Sequence, residues 1–96
     1  NSWPELARII DQIYDDLPVG LSEVYPQLSV DDVRLCCMII VGLSSSEIAQ
    51  VLDIRTESVY RKRRRLKKKL SLGEKDSLRE HLLRFIDRMA DDPRAV

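Results

Sequence analysis

Residues 42–70 read GLSSSEIAQVLDIRTESVYRKRRRLKKKL, and this stretch predicts a short helix, a tight turn and a longer, strongly basic helix. In residues 61–69 every position except Leu66 is Lys or Arg. Val59, Leu66 and Leu70 recur at a spacing that keeps apolar side chains on one side of a helix. That side can therefore be buried while the remaining sides present cations.

Helix-start signals divide this stretch into its two helices. Ser44 and Glu47 have the spacing of a capping box, in which each side chain accepts a hydrogen bond from the other residue's backbone N–H. Residues 53–55 are predicted to form the turn, and the basic helix is expected to run from about Thr56 to about Leu70. Two helices joined in this way form a helix-turn-helix.

Three further helices are predicted before this stretch. A capping box at Ser2–Glu5 is expected to open the first of them. Its apolar residues have helical spacing and should face inward: Leu6, Ile9, Ile10, Ile13, Tyr14 and Leu17. Pro18 ends or bends this helix, and a second, short helix follows. Ser29 should cap the third helix, residues 30–41, which Gly42 closes in a left-handed conformation.

A last helix is predicted after residues 71–76. Its apolar stripe consists of Leu78, Leu82, Phe85, Ile86 and Met89. Two interpretations of the stripe stay open: it closes the core over the basic helix and the N-terminal helices, or part of it forms the face of a homodimer. In either case the fold class is all-α, a small helical bundle.

Composition and length predict one folded domain. The chain has 96 residues, of which 44% are hydrophobic and 33% charged, and this is enough for a single modest core. No apolar run approaches the roughly 18 residues of a transmembrane helix, and no signal peptide is visible. The sequence therefore predicts a cytoplasmic protein without a membrane partner. Because the chain begins with Asn, we expect a sensing region upstream of it.

The formal net charge of zero conceals a strong segregation of charge. Residues 1–32 contain seven acids and one base, whereas residues 55–70 contain nine bases and one acid. Such a field attracts a polyanion to one surface and discourages coating of the whole domain.

The remaining reactive residue types predict no chemistry. Cys36 and Cys37 are neighbours on a predicted helix, where they point about 100° apart, so packing is expected rather than a disulfide. His81 is expected to be a surface residue, because no second His and no Cys lies near it. No catalytic constellation, metal-ligand spacing or phosphate loop is present, so we expect a protein that is not an enzyme and has no metal or cofactor.

The residues quoted above resemble the DNA-binding domain of LuxR/NarL-type (GerE-like) bacterial transcription regulators. The resemblance covers about residues 28–70 without a gap, and it rests on Leu28-Ser29, Gly42-Leu43-Ser44, Glu47-Ile48-Ala49, Leu52, Ser58-Val59 and Lys69-Leu70. It implies a tetrahelical helix-turn-helix domain at residues 28–92, with residues 1–27 as a helical linker. It also implies a position at the C-terminus of a larger regulator, behind a sensor or receiver region.

The resemblance further implies which residues contact double-stranded DNA. Base contacts are expected from Tyr60, Arg61 and Arg64, and phosphate contacts from Ser45, Ser46, Ser58, Arg65 and Lys68. The helical wheel agrees, because Arg61, Arg64 and Lys68 lie opposite the apolar stripe. An arginine can donate two hydrogen bonds to O6 and N7 of guanine, whereas phosphate contacts position a protein without reading sequence.

One departure from the family pattern affects the start of the basic helix. The family usually places a capping Ser where this chain has Arg55, so we expect Thr56 to cap the helix instead and to shift its start by one residue.

Two other functions stay open at this point. Region 4 of bacterial sigma factors has a similar fold and binds promoters. A basic amphipathic helix can also act as a protein-interaction module. Membrane-surface binding is disfavoured because residues 61–69 contain no aromatic side chain beside their cations.

Overall fold

The computed structural model describes residues 2–90, with side chains for residues 2–88, and within that range it contains helices and no strands. The helices are α1 (Trp3–Ile13), α2 (Leu17–Val24), α3 (Val30–Ile40), α4 (Ser45–Leu52), α5 (Thr56–Lys69) and α6 (Leu78–Ala90). The radius of gyration is 13.0 Å, close to the roughly 12.5 Å of a compact domain of this length. The prediction of a small all-α bundle is thereby confirmed.

α3 is the central helix of the bundle. Seven of its side chains are buried: Val33, Leu35, Cys36, Cys37, Met38, Ile39 and Ile40. It packs against α2, α5 and α6. The Ser29 hydroxyl accepts from the Asp32 N–H at 3.1 Å and the Asp32 carboxylate accepts from the Ser29 N–H at 2.9 Å, a capping box at its start. Gly42 ends it at φ +95°, as predicted.

α4 and α5 are joined by the three residues that the sequence assigned to the turn. The predicted capping box opens α4, with Ser44 and Glu47 each accepting from the other's backbone N–H, at 3.1 Å and 2.9 Å. Asp53 ends α4 at φ +57°, a left-handed conformation that Asp tolerates better than most residues. The Ile54 N–H then donates to the Ala49 carbonyl at 3.0 Å and closes the turn.

The predicted cap of α5 is wrong. Arg55 is the N-cap residue, in extended conformation and without a side-chain cap, and Thr56 is the first helical residue. The N–H groups of Ser58 and Val59 both donate to the Arg55 carbonyl, at 3.0 Å and 3.3 Å. These backbone hydrogen bonds fix the start of the helix, so the lack of a capping side chain at Arg55 does not shift it.

α1 differs from the prediction at its start. Ser2 has φ −92° and ψ +10° and makes no side-chain cap, because that bent backbone is outside the extended region that N-cap residues adopt. Its N–H donates instead to the Val51 carbonyl at 3.1 Å, which ties α1 to α4. The Arg34 guanidinium lies 5.2 Å from the centre of the Trp3 ring and ties α1 to α3 as well.

The inward face of α1 is also narrower than predicted. Ile10 is fully buried, whereas Ile9 and Ile13 are 51% and 59% exposed. α1 ends at Ile13, and Asp16 at φ +57° redirects the chain, so that Leu17 enters the core as the first residue of α2. Only the edge of α1 that carries Ile10 therefore reaches the core.

α6 packs on α3 and closes the core. Leu78, Leu82 and Phe85 are buried, and Leu83 and Ile86 are partly buried against the same cluster. This burial is what the core-closing interpretation of the stripe requires. The Met89 side chain and the predicted domain end at residue 92 lie outside the described residues.

His81 lies on α6, where it was expected at the surface, and it is partly rather than fully exposed. Its Nε2 lies 3.2 Å from the Tyr25 hydroxyl, a hydrogen bond that joins α6 to the end of α2. Burial, followed by the positive charges of Arg88 and Arg84, holds the pKa of His81 below its ordinary value. Its role here is a packing contact.

Both cysteines are buried in α3 as free thiols, which confirms the packing interpretation. Burial raises the pKa of each thiol to about 12, so both are protonated near neutral pH. Among the described residues no helix is long and apolar enough to cross a membrane.

Candidate nucleic-acid interface

α5 is held against the bundle by a narrow apolar edge. Val59 and Leu66 are fully buried, and Leu70 at its C-cap is nearly so. These side chains contact a core that includes Ile48 and Ala49 of α4. The small Ala49 side chain allows the two helices to approach closely, and the remaining circumference of α5 is left for its charged residues.

The side of α5 opposite this edge is exposed. Arg61, Arg64, Arg65 and Lys68 are all exposed, and none of them has an ion-pair or hydrogen-bond partner among residues 2–88. At about 100° per residue, Arg61, Arg64 and Lys68 lie within roughly 60° of one another around the helix. Glu57 lies between them and is the one acid on this face.

The acidic N-terminal part of the chain contacts α5 at Lys69. The Lys69 ammonium pairs with the Asp32 carboxylate, and the Gln27 side chain donates to the Lys69 carbonyl at 3.2 Å. Burial alone would raise the pKa of Asp32, but the hydrogen bonds from Lys69 and Ser29 outweigh it and hold that pKa below its ordinary value. Lys69 is the single base of α5 in an ion pair within the described part of the chain.

The predicted base-contacting residues occupy two different positions. Arg61 and Arg64 are both exposed. Tyr60 is 55% exposed and lines a groove beside α6. Arg64 lines the same groove, so the structure brings Tyr60 and Arg64 together and leaves Arg61 about 60° farther around the helix.

The predicted phosphate-contacting residues are spread over two helices. Arg65 and Lys68 share the exposed side of α5, and Ser58 is partly exposed in the first turn of that helix. Ser45 and Ser46 lie in the first turn of α4. Helix N-termini attract anions through their free N–H groups, and in α4 the capping box uses one of these donors, the Glu47 N–H.

Two bases that the sequence did not single out are Arg63 and Lys67. Both line the groove between α5 and the start of α6, and the Lys67 ammonium donates to the Glu74 carbonyl at 3.0 Å. Burial lowers the pKa of Arg63. The position of Arg63 in the sequence could have indicated this location. It follows Val59 by four residues and precedes Leu66 by three, so it borders the buried edge of α5.

Searches of protein-family models, curated proteins and solved structures gave no match to this chain. The LuxR-type resemblance is therefore carried by the residues of the chain itself.

Proposed function

We propose that this chain binds duplex DNA sequence-specifically, with α5 as the recognition helix in the major groove, and that it regulates transcription. In this proposal it is the LuxR-type output domain of a larger cytoplasmic bacterial regulator, whose sensor or receiver region lies upstream. The observation that carries the proposal is the exposure of Arg61 and Arg64, unpaired among the described residues, on the second helix of a helix-turn-helix.

The dimensions of α5 suit this role. Its 14 residues extend over about 21 Å at 1.5 Å per residue. A helix with side chains is about 10–12 Å across, and the major groove is about 12 Å wide. Because Arg61 and Arg64 are exposed and lie away from the apolar edge of α5, they can enter the groove without a change in fold.

The charge distribution favours one orientation on the DNA. Acids predominate before α3 and bases predominate in α5. A duplex would attract the α5 side and repel the α1–α2 side, so encounters would be steered toward the recognition helix. Phosphates would then be contacted by Arg65 and Lys68 and by Ser58 at the start of α5.

The proposal includes pairing of two domains on a two-fold site. The exposed parts of Leu83 and Ile86 on α6 are the surface we assign to such a homodimer, while the buried residues of the same helix hold the core. A self-complementary interface of this kind matches a palindromic operator.

The test is binding to a pool of random duplexes, followed by sequencing of the bound fraction and by anisotropy titrations of a selected duplex at several salt concentrations. With about five phosphates contacted, the plot of log K against log salt should have a slope of about −4.5. A slope near zero, or a bound pool without sequence preference, would contradict the proposal. The first of these results would favour a protein-interaction module instead.

A further inference from the structure

The groove between α5 and the start of α6 contains more positive charge than its own acid can balance. Its lining consists of Tyr60, Arg63, Arg64, Lys67, Glu74, Ser77 and Leu78. Glu74 is the one acid in this lining, and no ion pair joins it to a base within residues 2–88. Three bases thus face a space that holds a single carboxylate.

Arg63 is the most informative residue of the groove. It is partly buried, and it has no hydrogen bond or ion pair with any residue that the structure describes. Its donors are therefore available at the groove, and pairing with an anion would offset the water that the side chain loses on partial burial. An anion bound in the groove would supply the missing partner.

Two neighbours of Arg63 also suit an anion. The Lys67 ammonium uses one of its three donors on the Glu74 carbonyl, which fixes it at the groove and leaves two donors. Ser77 and Leu78 at the start of α6 line the same groove, so the positive end of that helix borders it, although the Ser77 hydroxyl already accepts from the Glu80 N–H at 3.2 Å.

The groove lies on the opposite edge of α5 from two of the expected phosphate contacts, Ser58 and Arg65. Lys67 follows Ser58 by nine residues, which places it about 180° away around the helix, and it lies about 160° from Arg65. A helix that fills the major groove has a phosphate strand on each of its sides. Ser58 and Arg65 can contact one strand, whereas Arg63 and Lys67 would meet the other.

We infer that the groove centred on Arg63 and Lys67 is a phosphate-binding site for the second backbone strand of the bound duplex. This inference rests on the proposed function, since it assigns a further contact to the same recognition helix. The Arg63 guanidinium can donate two parallel hydrogen bonds to one phosphate, and the Tyr60 hydroxyl can donate a third.

The test compares two variants that each lose two positive charges. Arg63→Gln/Lys67→Gln removes the groove charges, and Arg8→Gln/Arg84→Gln removes two exposed charges on α1 and α6. We expect the magnitude of the log–log salt slope to fall by about 2 in the groove variant, at about 0.9 per phosphate contact, and to stay unchanged in the control. The loss of affinity should be the same for every duplex sequence, because phosphates carry no sequence information.

A second measurement separates this inference from the proposed function. Inorganic phosphate is titrated into the wild-type protein and into Arg63→Gln, while the arginine Nε–H and lysine Nζ NMR signals are followed. If duplex binds and the groove variant keeps the slope of the control, the inference fails and the proposed function stands. If no duplex binds but phosphate shifts the Lys67 signal in wild type and not in the variant, the assignment to a duplex strand fails with the proposed function, and the groove is instead a site for a phosphorylated small molecule. If neither occurs, both fail.

Discussion

Replacing Arg61 or Arg64 by Ala separates base reading from folding. Both side chains are exposed, and neither has an ion-pair or hydrogen-bond partner in residues 2–88. Ala has the highest helix propensity, so each change should alter the free energy of unfolding by less than about 0.5 kcal/mol. Any larger loss of DNA affinity then reports on the interface.

The expected magnitude follows from the chemistry of the contact. A bidentate arginine–guanine pair is worth about 1–3 kcal/mol of discrimination, which corresponds to roughly 5-fold to 150-fold in affinity. Arg61 and Arg64 are three residues apart, about 4.5 Å along the helix axis, and base pairs are stacked about 3.4 Å apart. Each substitution should therefore relax the preference at a different position, and the two positions should be neighbours.

The assay is selection from random duplexes with each variant, with Lys68→Ala as the control on the same exposed side. Lys68→Ala should weaken binding to all sequences alike and leave the selected motif unchanged. If Arg61→Ala and Arg64→Ala both return the wild-type motif, these residues do not read bases, even if the protein binds DNA. Circular dichroism and urea unfolding would verify that all three variants fold.

Three further predictions concern single residues. Glu57→Ala should raise affinity for random duplexes in anisotropy titrations, because the carboxylate repels phosphates. If Glu57 accepts a hydrogen bond from cytosine N4, the same change should also weaken a C·G preference at one position of the selected motif. Asp32→Asn should lower the free energy of unfolding at pH 7, measured by urea unfolding, and should make that free energy fall less steeply as the pH is lowered. The pKa of Asp32 is lowered in the folded protein, so its carboxylate stabilises the fold above the pKa of the unfolded chain, and this stabilisation is lost as the pH falls through the folded pKa. A fall as steep as that of the wild type would contradict this. Leu66→Ala should reduce the free energy of unfolding by about 2–5 kcal/mol, measured by urea unfolding, because the fully buried side chain leaves a cavity; a loss below 1 kcal/mol would show that the site collapses.

Local signals in the sequence were sufficient for the helix starts that depend on neighbouring residues. The capping boxes of α3 and α4 each involve two residues three positions apart, such as Ser44 and Glu47, so their hydrogen bonds are set by local backbone geometry. The same holds for Gly42, whose positive φ closes α3. These elements place the turn before α5, and with it the exposed arginines.

Tertiary contacts decided the features that the sequence could not predict. Periodicity shows that Ile9, Ile10 and Ile13 share one side of α1, but it does not show how much of that side a neighbour covers. Of these three side chains only Ile10 is buried. Ser2 likewise has a capping spacing, yet its N–H is used by Val51 of α4, 49 residues later in the chain.

Arg63 shows the same limit at the candidate interface. Its spacing from Val59 and Leu66 places it beside the buried edge of α5, but no local rule predicts a groove there. The groove forms because the start of α6 lies beside α5. The helical wheel of α5 was sufficient to predict its exposed side, whereas the groove depends on α6, which begins at Leu78.

The balance of forces in α5 connects its folding to its proposed role. Four pairs of bases stand four residues apart on this helix, and each like-charged pair costs about 0.2–0.5 kcal/mol, roughly 1–2 kcal/mol together. Burying Val59, Leu66 and Leu70 contributes about 1.5–3 kcal/mol each, as an upper estimate, and outweighs that repulsion. Docking therefore keeps α5 helical, although among residues 2–88 only Lys69 of its bases has an ion-pair partner, Asp32. Phosphates on both sides of the helix would neutralise these bases and relieve their mutual repulsion. The same bases that destabilise the free helix would therefore strengthen binding to a duplex.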